Sequence, residues 1–390
     1  MRVVVIGGGY AGVLCALRVA RLGGANVDVT LVNARADFVE RVRLHEHAAG
    51  AHDEATSVRA LLEGTSVKLA IGWVEHIDLG ARTVRVAERV WHWDRLVIAV
   101  GSQDDLERVP GAREHAMSLE GDSVLANAAR LRALSERGGR VVVLGAGLTG
   151  IEIATELAQT YRGLHLEIVA RGSVGAGLSR AAQRHVRRTL ENDRVRIHEY
   201  VRVRRIERDR LLTEGGELAF DACVWAAGFV APHLARDAGL SVNASRQAWV
   251  DAQLRAIGHP EVYVIGDAAK QEGELGENVP MGCKSALPMA TFAADAIAAE
   301  VRGRVPRKPF VFRAPLYCVS LGRHDGIVQL RPDAGPNAPH VHGALAARIK
   351  AWIVKGTLFT LRFERWRALS FSGTRALALP ADASQDGAHG

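Results

Sequence analysis

The fold is decided by residues 3–12, which read VVVIGGGYAG. The four apolar residues predict a short buried strand, and the glycines after them predict a tight turn. An apolar, Ala-rich run from Val13 to about Leu22 predicts a helix, and residues 27–32 predict the next strand. Together these elements form a βαβ unit at the start of the chain.

The same arrangement returns near the middle of the chain. A predicted strand at residues 140–144 leads into GAGLTG at 145–150, followed by a helix from Ile151 to about Gln159 and a strand at 164–169. A glycine turn between strand and helix lets the backbone approach a pyrophosphate, whose charge meets the N–H groups that open the helix. Two such turns, each with both flanking elements, predict two dinucleotide-binding units.

Each unit also has a closing strand that ends in a glycine turn. Residues 93–102 predict the first closing strand with Gly101, and residues 220–229 repeat the pattern with Gly228. A third strand, over residues 261–269, ends in Gly-Asp and precedes an Ala-rich helix from about 285 to 299. We expect that strand and helix to belong with the first unit.

In the order of these motifs the chain resembles the flavoprotein reductases that have two dinucleotide-binding domains. Within them it is similar to the type II NADH dehydrogenase-like branch, which lacks a redox disulfide. The resemblance covers residues 1 to about 330. It implies an FAD-dependent NAD(P)H:acceptor oxidoreductase, in which hydride passes from NAD(P)H to FAD and two electrons then go to a quinone-like or other small acceptor.

Two other functions stay open on the residues alone. One is a flavoenzyme of specialised metabolism that oxidises or reduces a specific small organic substrate. The other is a redox-sensing protein that binds nucleotide without turnover.

The resemblance implies an α/β fold with two Rossmann-like domains, an FAD-binding domain that carries an inserted NAD(P)-binding domain. Composition agrees, since 390 residues with 48% hydrophobic content can bury substantial cores. We expect the FAD domain at residues 1–120 and 245–305 and the NAD(P) domain at 121–244. The remaining residues, 306–390, form a smaller C-terminal region with an amphipathic helix over 344–369 and a disordered tail.

The resemblance also assigns residues to the cofactors. The FAD pyrophosphate and ribityl chain are expected at Gly7, Gly9, Tyr10, Ala11, Gly12, Gly101, Gly266 and Asp267. The NAD(P)H site is expected at Gly145, Gly147, Gly150, Arg171 and Gly228. A carboxylate can accept hydrogen bonds from ribityl hydroxyls, although Asp267 could instead cap the following helix.

Three further residues are expected near the reacting ends of the cofactors. The helix that starts near Cys283 and Lys284 would direct its positive end at the flavin pyrimidine edge, and Lys284 would add charge there unless it is a solvated lysine. Glu152 matches a glutamate found in the family where nicotinamide meets flavin. Its alternative role is that of an acid favoured at a helix N-terminus.

The sequence departs from the usual dinucleotide pattern at two strand ends. The position that normally carries an acid for the adenosine ribose is Asn33 in the first unit, and Ala170 followed by Arg171 in the second. Asn33 can still bond ribose hydroxyls. With no carboxylate at Ala170 and a guanidinium next to it, a 2′-phosphate would be accepted, so NADPH is as good a candidate donor as NADH.

The segment FVERVRLHEH at residues 38–47 lies where disulfide-reductase relatives carry redox cysteines. Here Arg43, His45 and His47 could hold an anionic or hydroxylated substrate, or carry protons near neutral pH. Alternatively they form a helix face that is salt-bridged to Glu40 and Glu46.

The C-terminal helix combines apolar and basic side chains at near-helical spacing. It could lie on a membrane, as in the resembling family, or pack on the protein body or across a homodimer. Its apolar residues are Leu345, Ile349, Trp352, Ile353, Phe359, Phe363 and Trp366. Its basic residues are Arg348, Lys350, Lys355, Arg362, Arg365 and Arg367.

Other features limit the partners and the setting. The four cysteines form no closely spaced pair, so we expect neither a redox disulfide nor a metal cluster, and each should be a small core residue. No signal peptide and no spanning helix is expected, which predicts a cytoplasmic protein, peripheral to the inner face of the cell membrane if the C-terminal helix binds lipid. The net charge of +7 suits acidic partners, but no nucleic-acid partner is expected.

Overall fold

The computed structural model describes residues 1–51, 56–120, 123–274, 279–304, 308–313, 316–330 and 332–366. Within these ranges the strands are β1 Arg2–Ile6, β2 Asp28–Asn33, β3 Lys68–Ile71, β4 His76–Asp78, β5 Thr83–Val86, β6 Arg89–His92, β7 Arg95–Ile98, β8 Gln103–Asp104, β9 Ala116–Met117, β10 Arg140–Leu144, β11 His165–Val169, β12 Arg196–His198, β13 Val203–Ile206, β14 Arg210–Thr213, β15 Gly216–Ala219, β16 Ala222–Trp225, β17 Phe229–Val230, β18 Ala248–Val250, β19 Arg255–Ala256, β20 His259–Val264, β21 Ala269–Gln271, β22 Leu316–Ser320, β23 Gly326–Leu330 and β24 His340–His342.

The α-helices of the described ranges are α1 Tyr10–Gly23, α2 Leu44–Ala48, α3 Val58–Leu62, α4 Ala112–His115, α5 Ser123–Glu136, α6 Leu148–Thr160, α7 Arg180–Asn192, α8 Leu234–Asp237, α9 Cys283–Val301 and α10 Ala344–Glu364. Both helices that follow the glycine turns begin earlier than predicted, at Tyr10 and Leu148. Gly9 and Gly147 have extended backbones and form the N-caps.

The first sheet is built from two separate parts of the chain. Its strands follow the order β21-β18-β19-β20-β7-β1-β2-β3, and β20, β7, β1, β2 and β3 run parallel. These strands are apolar runs because helices such as α1, which packs against α9, cover the sheet. Ile6, Ile98 and Val264 are aligned in register at the carboxyl ends of three neighbouring strands. The turns that follow them therefore meet at one sheet edge.

The second sheet has the order β12-β11-β10-β16-β9, with every pairing parallel. Val169 and Trp225 both lie beside Leu144, the last residue of β10. The second glycine turn and the residues after β11 and β16 therefore share an edge, as in the first sheet. A short antiparallel pair, β8 with β17, joins the segments that follow the two closing strands.

The C-terminal region forms an antiparallel sheet, β22-β23-β24, covered by α10. Helix α10 is continuous through Gly356 but ends at Glu364, five residues before the predicted end. Residues 367–369 and the predicted disordered tail lie outside the described residues.

The buried face of α10 is largely polar, in contrast with the apolar face that the sequence predicts. Its buried residues are Ala346, Lys350, Thr357, Thr360, Leu361 and Glu364. Glu364 is fully buried and receives ion pairs from Arg18 at 3.3 Å and Arg21 at 2.8 Å, both on α1. The helix is therefore joined to the first sheet's domain through charge as well as packing.

Candidate active site

The first glycine turn leaves open space at one position and is closely packed at two others. Gly7 has a φ of +106°, and a Cβ at this position would overlap the carbonyl oxygen of Ala99. A Cβ at Gly12 would overlap the carbonyl oxygen of Gly7. A Cβ at Gly9 would meet nothing within 4 Å. Gly7 and Gly12 are thus needed for the turn itself, whereas Gly9 leaves the backbone accessible to a ligand.

The second glycine turn repeats this construction residue by residue. Gly145 has a φ of +113° and lies against Ala226, and Gly150 lies against the carbonyl oxygen of Gly145. A Cβ at Gly147 would again meet nothing within 4 Å. Both turns therefore expose backbone N–H groups at the start of a helix, which is the arrangement that binds a pyrophosphate.

The other residues predicted for FAD lie around the first turn. A Cβ at Gly266 would be 3.4 Å from the Cβ of Ala11, and one at Gly101 would meet nothing within 4 Å. Tyr10 packs edge-on against Phe38, with ring centroids 5.0 Å apart. Gly9 and Gly101 therefore leave room for a ligand at this sheet edge, and the residues present fit an FAD pyrophosphate and ribityl chain.

Asp267 connects three segments at this edge. Its carboxylate accepts a hydrogen bond from the Ser102 hydroxyl at 2.8 Å and one from the backbone N–H of Gly282 at 2.6 Å. Gly282 is the residue before α9, so the acid holds the start of that helix. Each carboxylate oxygen retains capacity for a second hydrogen bond, which a ribityl hydroxyl can use.

Asn33 has partners on both polar atoms of its amide group. Its Oδ1 accepts from the backbone N–H of Gly8 at 2.7 Å, and its Nδ2 donates to the carbonyl of Arg35 at 2.8 Å. Asn33 therefore fixes the glycine turn itself, a role that the sequence analysis did not foresee.

A cavity of about 860 Å³, named the second cavity after the second glycine turn, lies at that turn. Its lining includes Gly145, Gly147 and Arg171 from the predicted NAD(P)H residues, but neither Gly150 nor Gly228. Gly150 packs against the turn, and Gly228 lies under the guanidinium of Arg108, which itself lines the cavity.

The cavity is linked to the start of α9 by one contact. Tyr317 of β22 lines the cavity, and the Lys284 ammonium lies 3.5 Å from the centroid of its ring. Burial lowers the pKa of Lys284 to about 8. Lys284 is therefore not a freely solvated lysine, and its charge lies where the second cavity meets α9.

The cysteines divide into two kinds. Cys15 and Cys223 are buried core residues, as predicted, but Cys283 and Cys318 are only partly buried, so the prediction of four core cysteines is wrong for these two. All four are free thiols. Burial raises the pKa of Cys283 to about 11, which keeps it protonated near neutral pH.

Glu152 of α6 lies in a charged cluster and has contacts from three other parts of the chain. It forms an ion pair with Lys350 of α10 and accepts a hydrogen bond from the backbone N–H of Ser320 at 3.0 Å. His45 of α2 lies 3.9 Å from the same carboxylate. Burial alone would raise the pKa of Glu152, but Lys350 and His45 outweigh it and hold that pKa below its usual range.

The polar segment at residues 38–47 is divided between two roles. Burial lowers the pKa of His45, so its ring is neutral near pH 7 beside the ionised Glu152. Arg43 instead pairs with Glu46 at 2.8 Å, one turn along the same segment. His47, the residue after Glu46, is partly buried. Of the three predicted residues, only His45 lies close to Glu152.

Sequence reasoning missed two parts of this site. Lys350 is only 6% exposed, although the sequence groups it with the basic residues of an amphipathic helix. Asp104 of β8 is the second, because its neighbour Glu120 also interacts with Asp267. Burial and Glu120 raise the pKa of Asp104 to about 7. Ser118 donates to Asp104 at 2.7 Å, and Arg41 pairs with Glu120.

Helix α10 presents large apolar side chains to solvent on one face. None of the helices in the described part of the chain is long and apolar enough to span a membrane. Among the described residues, no group of His, Cys, Asp or Glu has the geometry of a metal site. The exposed apolar residues of α10 are Leu345, Trp352 and Phe359, and Trp366 is exposed two residues after the end of the helix.

Two Rossmann units on one chain, each with a glycine turn open to a ligand, define the class of two-domain, dinucleotide-dependent oxidoreductases. The sequence of residues 1–290 matches the pyridine nucleotide-disulphide oxidoreductase family, and the chain belongs to that family. The predicted fold, the assignment as an enzyme, and FAD and NAD(P)H as its cofactors are thereby confirmed. The chain is an NAD(P)H-dependent flavoprotein oxidoreductase.

Named relatives agree with this assignment. The chain is 28% identical over 385 residues to a type II NADH:quinone oxidoreductase of Mycobacterium tuberculosis, covering 84% of this chain and 78% of that one. It is 26% identical over 273 residues to an NADH dehydrogenase-like protein of Bacillus subtilis, covering 69% and 76%. Among solved structures, the sulfide:quinone oxidoreductase of Aquifex aeolicus has a TM-score of 0.81 at 20% identity, covering 93% and 92%, and shares the fold.

Proposed function

We propose that the protein transfers two electrons from NAD(P)H to a quinone-like acceptor through FAD. The observation that carries the proposal is the pair of open glycine turns, with Tyr317 and Lys284 joining the second cavity to the helix that starts beside Asp267. When bound, FAD accepts a hydride from the nicotinamide and passes two electrons on.

The chain's own residues would bind and orient the two nucleotides. Gly9 and Gly101 leave space for FAD, and Asp267 would accept from its ribityl hydroxyls. Gly147 leaves the matching space for NAD(P)H. Tyr317 lines that second cavity and would border the nicotinamide end, because it lies next to Lys284 at the start of α9.

The start of α9 would supply positive charge where negative charge develops during reduction. The partial charge of the helix N-terminus acts together with the Lys284 ammonium. Because Lys284 is partly shielded from water, its charge acts there more strongly than an exposed lysine would.

The cluster of Glu152, Lys350 and His45 supports a quinone-like acceptor. Reduction of a quinone to a quinol takes up two protons, so the site needs groups that hold protons near the acceptor. The neutral His45 can take up a proton and pass it on, and it lies beside the buried Glu152–Lys350 ion pair. The mycobacterial relative is a type II NADH:quinone oxidoreductase, which supports the same acceptor class.

The exposed face of α10 supports contact with the membrane that holds such acceptors. A basic residue stands three positions after each of Leu345, Trp352 and Phe359. Aromatic side chains at headgroup depth with cations beside them are typical of helices that lie in the membrane interface. We place the protein at the inner face of the cell membrane, where anionic lipids attract such cations. The competing arrangement is a homodimer through the same face.

Anaerobic stopped-flow mixing tests the reductive half of this function. Purified protein loaded with FAD is mixed with NADH or, separately, with NADPH while flavin absorbance is followed, and rapid bleaching is expected. The reduced protein is then mixed with menadione, which should restore the flavin absorbance. A bound flavin that neither nucleotide reduces would overturn the proposal, and a reduced flavin that menadione leaves unchanged would overturn the quinone acceptor.

A further inference from the structure

The second cavity is positively charged at the end where the adenosine of a dinucleotide binds. In a Rossmann unit the adenosine ribose lies at the end of the second strand, which here is β11. The cavity wall beyond β11 contains three arginines, Arg171, Arg202 and Arg204, and one acid, Glu214.

Backbone hydrogen bonds bring these arginines to the same place. The N–H of Val201 donates to the carbonyl of Ala170 at 2.9 Å, which places the start of β13 directly beside the end of β11. Arg171 follows Ala170, and Arg202 follows Val201. The two guanidinium groups therefore start from adjacent backbone positions although they are 31 residues apart in the chain.

The single acid of this wall does not neutralise the cluster. The Glu214 carboxylate lies 3.6 Å from both Arg202 and Arg204, so it is shared between two guanidinium groups. These two side chains are 67% and 68% exposed and retain donors toward the cavity. Arg171 adds a third positive charge.

The acid that would bind a free 2′-hydroxyl is missing from this wall. Ala170 occupies its usual position, and two nearby glutamates have other partners. Glu167 is buried against His198 at 2.5 Å. Glu199 accepts from the backbone N–H of Val174 at 2.7 Å and pairs with Arg187 at 2.6 Å. Neither glutamate lines the cavity.

We propose that Arg171, Arg202 and Arg204 form a subsite for the 2′-phosphate of NADPH, and that NADPH is the electron donor. A phosphate monoester offers three acceptor oxygens and up to two negative charges, which suits several guanidinium groups and not a carboxylate. The inference rests on the proposed function, because it takes the cavity as the site of the nicotinamide nucleotide.

Binding without turnover gives the first test. The affinity of the FAD-loaded protein for adenosine 2′,5′-bisphosphate and for adenosine 5′-monophosphate is measured by calorimetry. We expect the bisphosphate to bind about 10- to 100-fold more tightly, as hydrogen bonds between charged groups imply. Equal affinities for the two compounds would overturn the inference.

Matched variants identify the residues. R171A and R202A should each remove most of the preference for the bisphosphate and leave the affinity for the monophosphate within about threefold. R205A is the control, because Arg205 is the exposed neighbour of Arg204, carries the same charge and does not line the cavity. Equal losses in R171A and R205A would indicate only a general charge effect and would contradict the subsite.

The kinetic test separates this inference from the proposed function. In the unmodified protein, kcat/KM should be more than about tenfold higher for NADPH than for NADH. In R171A this preference should fall, mainly because the KM for NADPH rises. If NADH reduces the flavin as fast as NADPH or faster, NADPH is not the preferred donor, but the proposed function stands. Failure of both nucleotides would overturn the proposed function itself.

Discussion

Glu152 is ion-paired with Lys350, which lies 198 residues further along the chain. The pair joins α6 of the second nucleotide-binding domain to the C-terminal helix, and both side chains are almost fully shielded from water. We expect K350M to lower the free energy of unfolding by about 3 kcal/mol, since it leaves Glu152 buried without its cation. Urea unfolding of the FAD-loaded protein measures the change.

A double variant separates the pair from a general effect of the mutation. E152Q/K350M should recover much of the stability lost in K350M, because no unpaired charge is left, but should still turn over menadione more slowly. K355M serves as the control, since Lys355 is exposed on the same helix. A K350M protein that is as stable as K355M would contradict the ion pair.

Adding one methyl group to either glycine turn should weaken only the nucleotide site at that turn. Gly9 and Gly147 have backbone conformations open to alanine and no protein atom within 4 Å of an added Cβ. We expect G9A to fold normally but to bind FAD about tenfold more weakly, or worse, because its methyl group meets the pyrophosphate. G147A should retain FAD and lose affinity for NAD(P)H to a similar extent. Flavin content and nucleotide titration measure the two effects, and normal binding in both variants would show that the turns do not hold the cofactors.

The charge of Lys284 should give the reductive half-reaction a pH dependence. Its pKa of about 8 means that the ammonium is present below that pH and lost above it. The rate of flavin reduction by NAD(P)H should therefore fall as pH rises through about 8. K284M should be slow and lack this step, whereas K284R should keep its charge and remain fast at higher pH. A step that persists in K284M would assign the titration to another group.

Asp104 should make the protein less stable as pH rises toward neutrality. Its pKa of about 7 in the fold is well above its ordinary value of 3.8. Between these pH values the folded protein holds a proton that the unfolded chain has lost, so the stabilisation by that proton disappears as pH rises through about 7. The Tm of D104N relative to the unmodified protein should therefore increase from about pH 5 to about pH 8.

The control for the Asp104 prediction is D209N, because Asp209 is 71% exposed. D209N should show no such change in relative Tm. Identical pH profiles for D104N and D209N would contradict a raised pKa at Asp104.

The exposed aromatic residues of α10 should determine binding to lipid. We expect W352S/F359S to reduce co-sedimentation with vesicles that contain anionic phosphatidylglycerol, without changing flavin reduction by NAD(P)H. W73S is the control, because Trp73 is equally exposed but lies outside α10. Unchanged co-sedimentation of W352S/F359S with vesicles would refute the membrane contact. A mass in solution twice that of the chain would favour the homodimer.

Local patterns were enough to predict the fold and the positions of the two glycine turns. Glycine spacing, flanking strands and the missing acid at Ala170 are all properties of neighbouring residues, so the sequence alone carries them. The helix starts differ from the prediction because extended Gly9 and Gly147 serve as caps where an apolar pattern indicates a later start. The end of α10 could not be predicted in the same way, because residues 365–369 contain no glycine or proline that would indicate where the helix stops.

The charged cluster could not be predicted because its members are distant in sequence. Lys350 stands among other basic residues at helical spacing, and only the packing of α10 against β22 and β23 and the ion pair with Glu152 show that it is buried. The sequence does not indicate that Asp104 and Glu120 lie close together either, since the effect of Glu120 on the pKa of Asp104 depends on burial. Asn33 was predicted to meet a ribose, but its contact with Gly8 depends on the conformation of the turn.

Helix α10 is held at two points that belong to different nucleotide-binding domains. Lys350 holds it to Glu152 in the second domain, and Glu364 holds it to Arg18 and Arg21 in the first. The two anchor points are about 21 Å apart along the helix axis. A bilayer that bound the exposed face of α10 would therefore fix the tilt of the whole enzyme, and with it the direction from which an acceptor dissolved in lipid could approach.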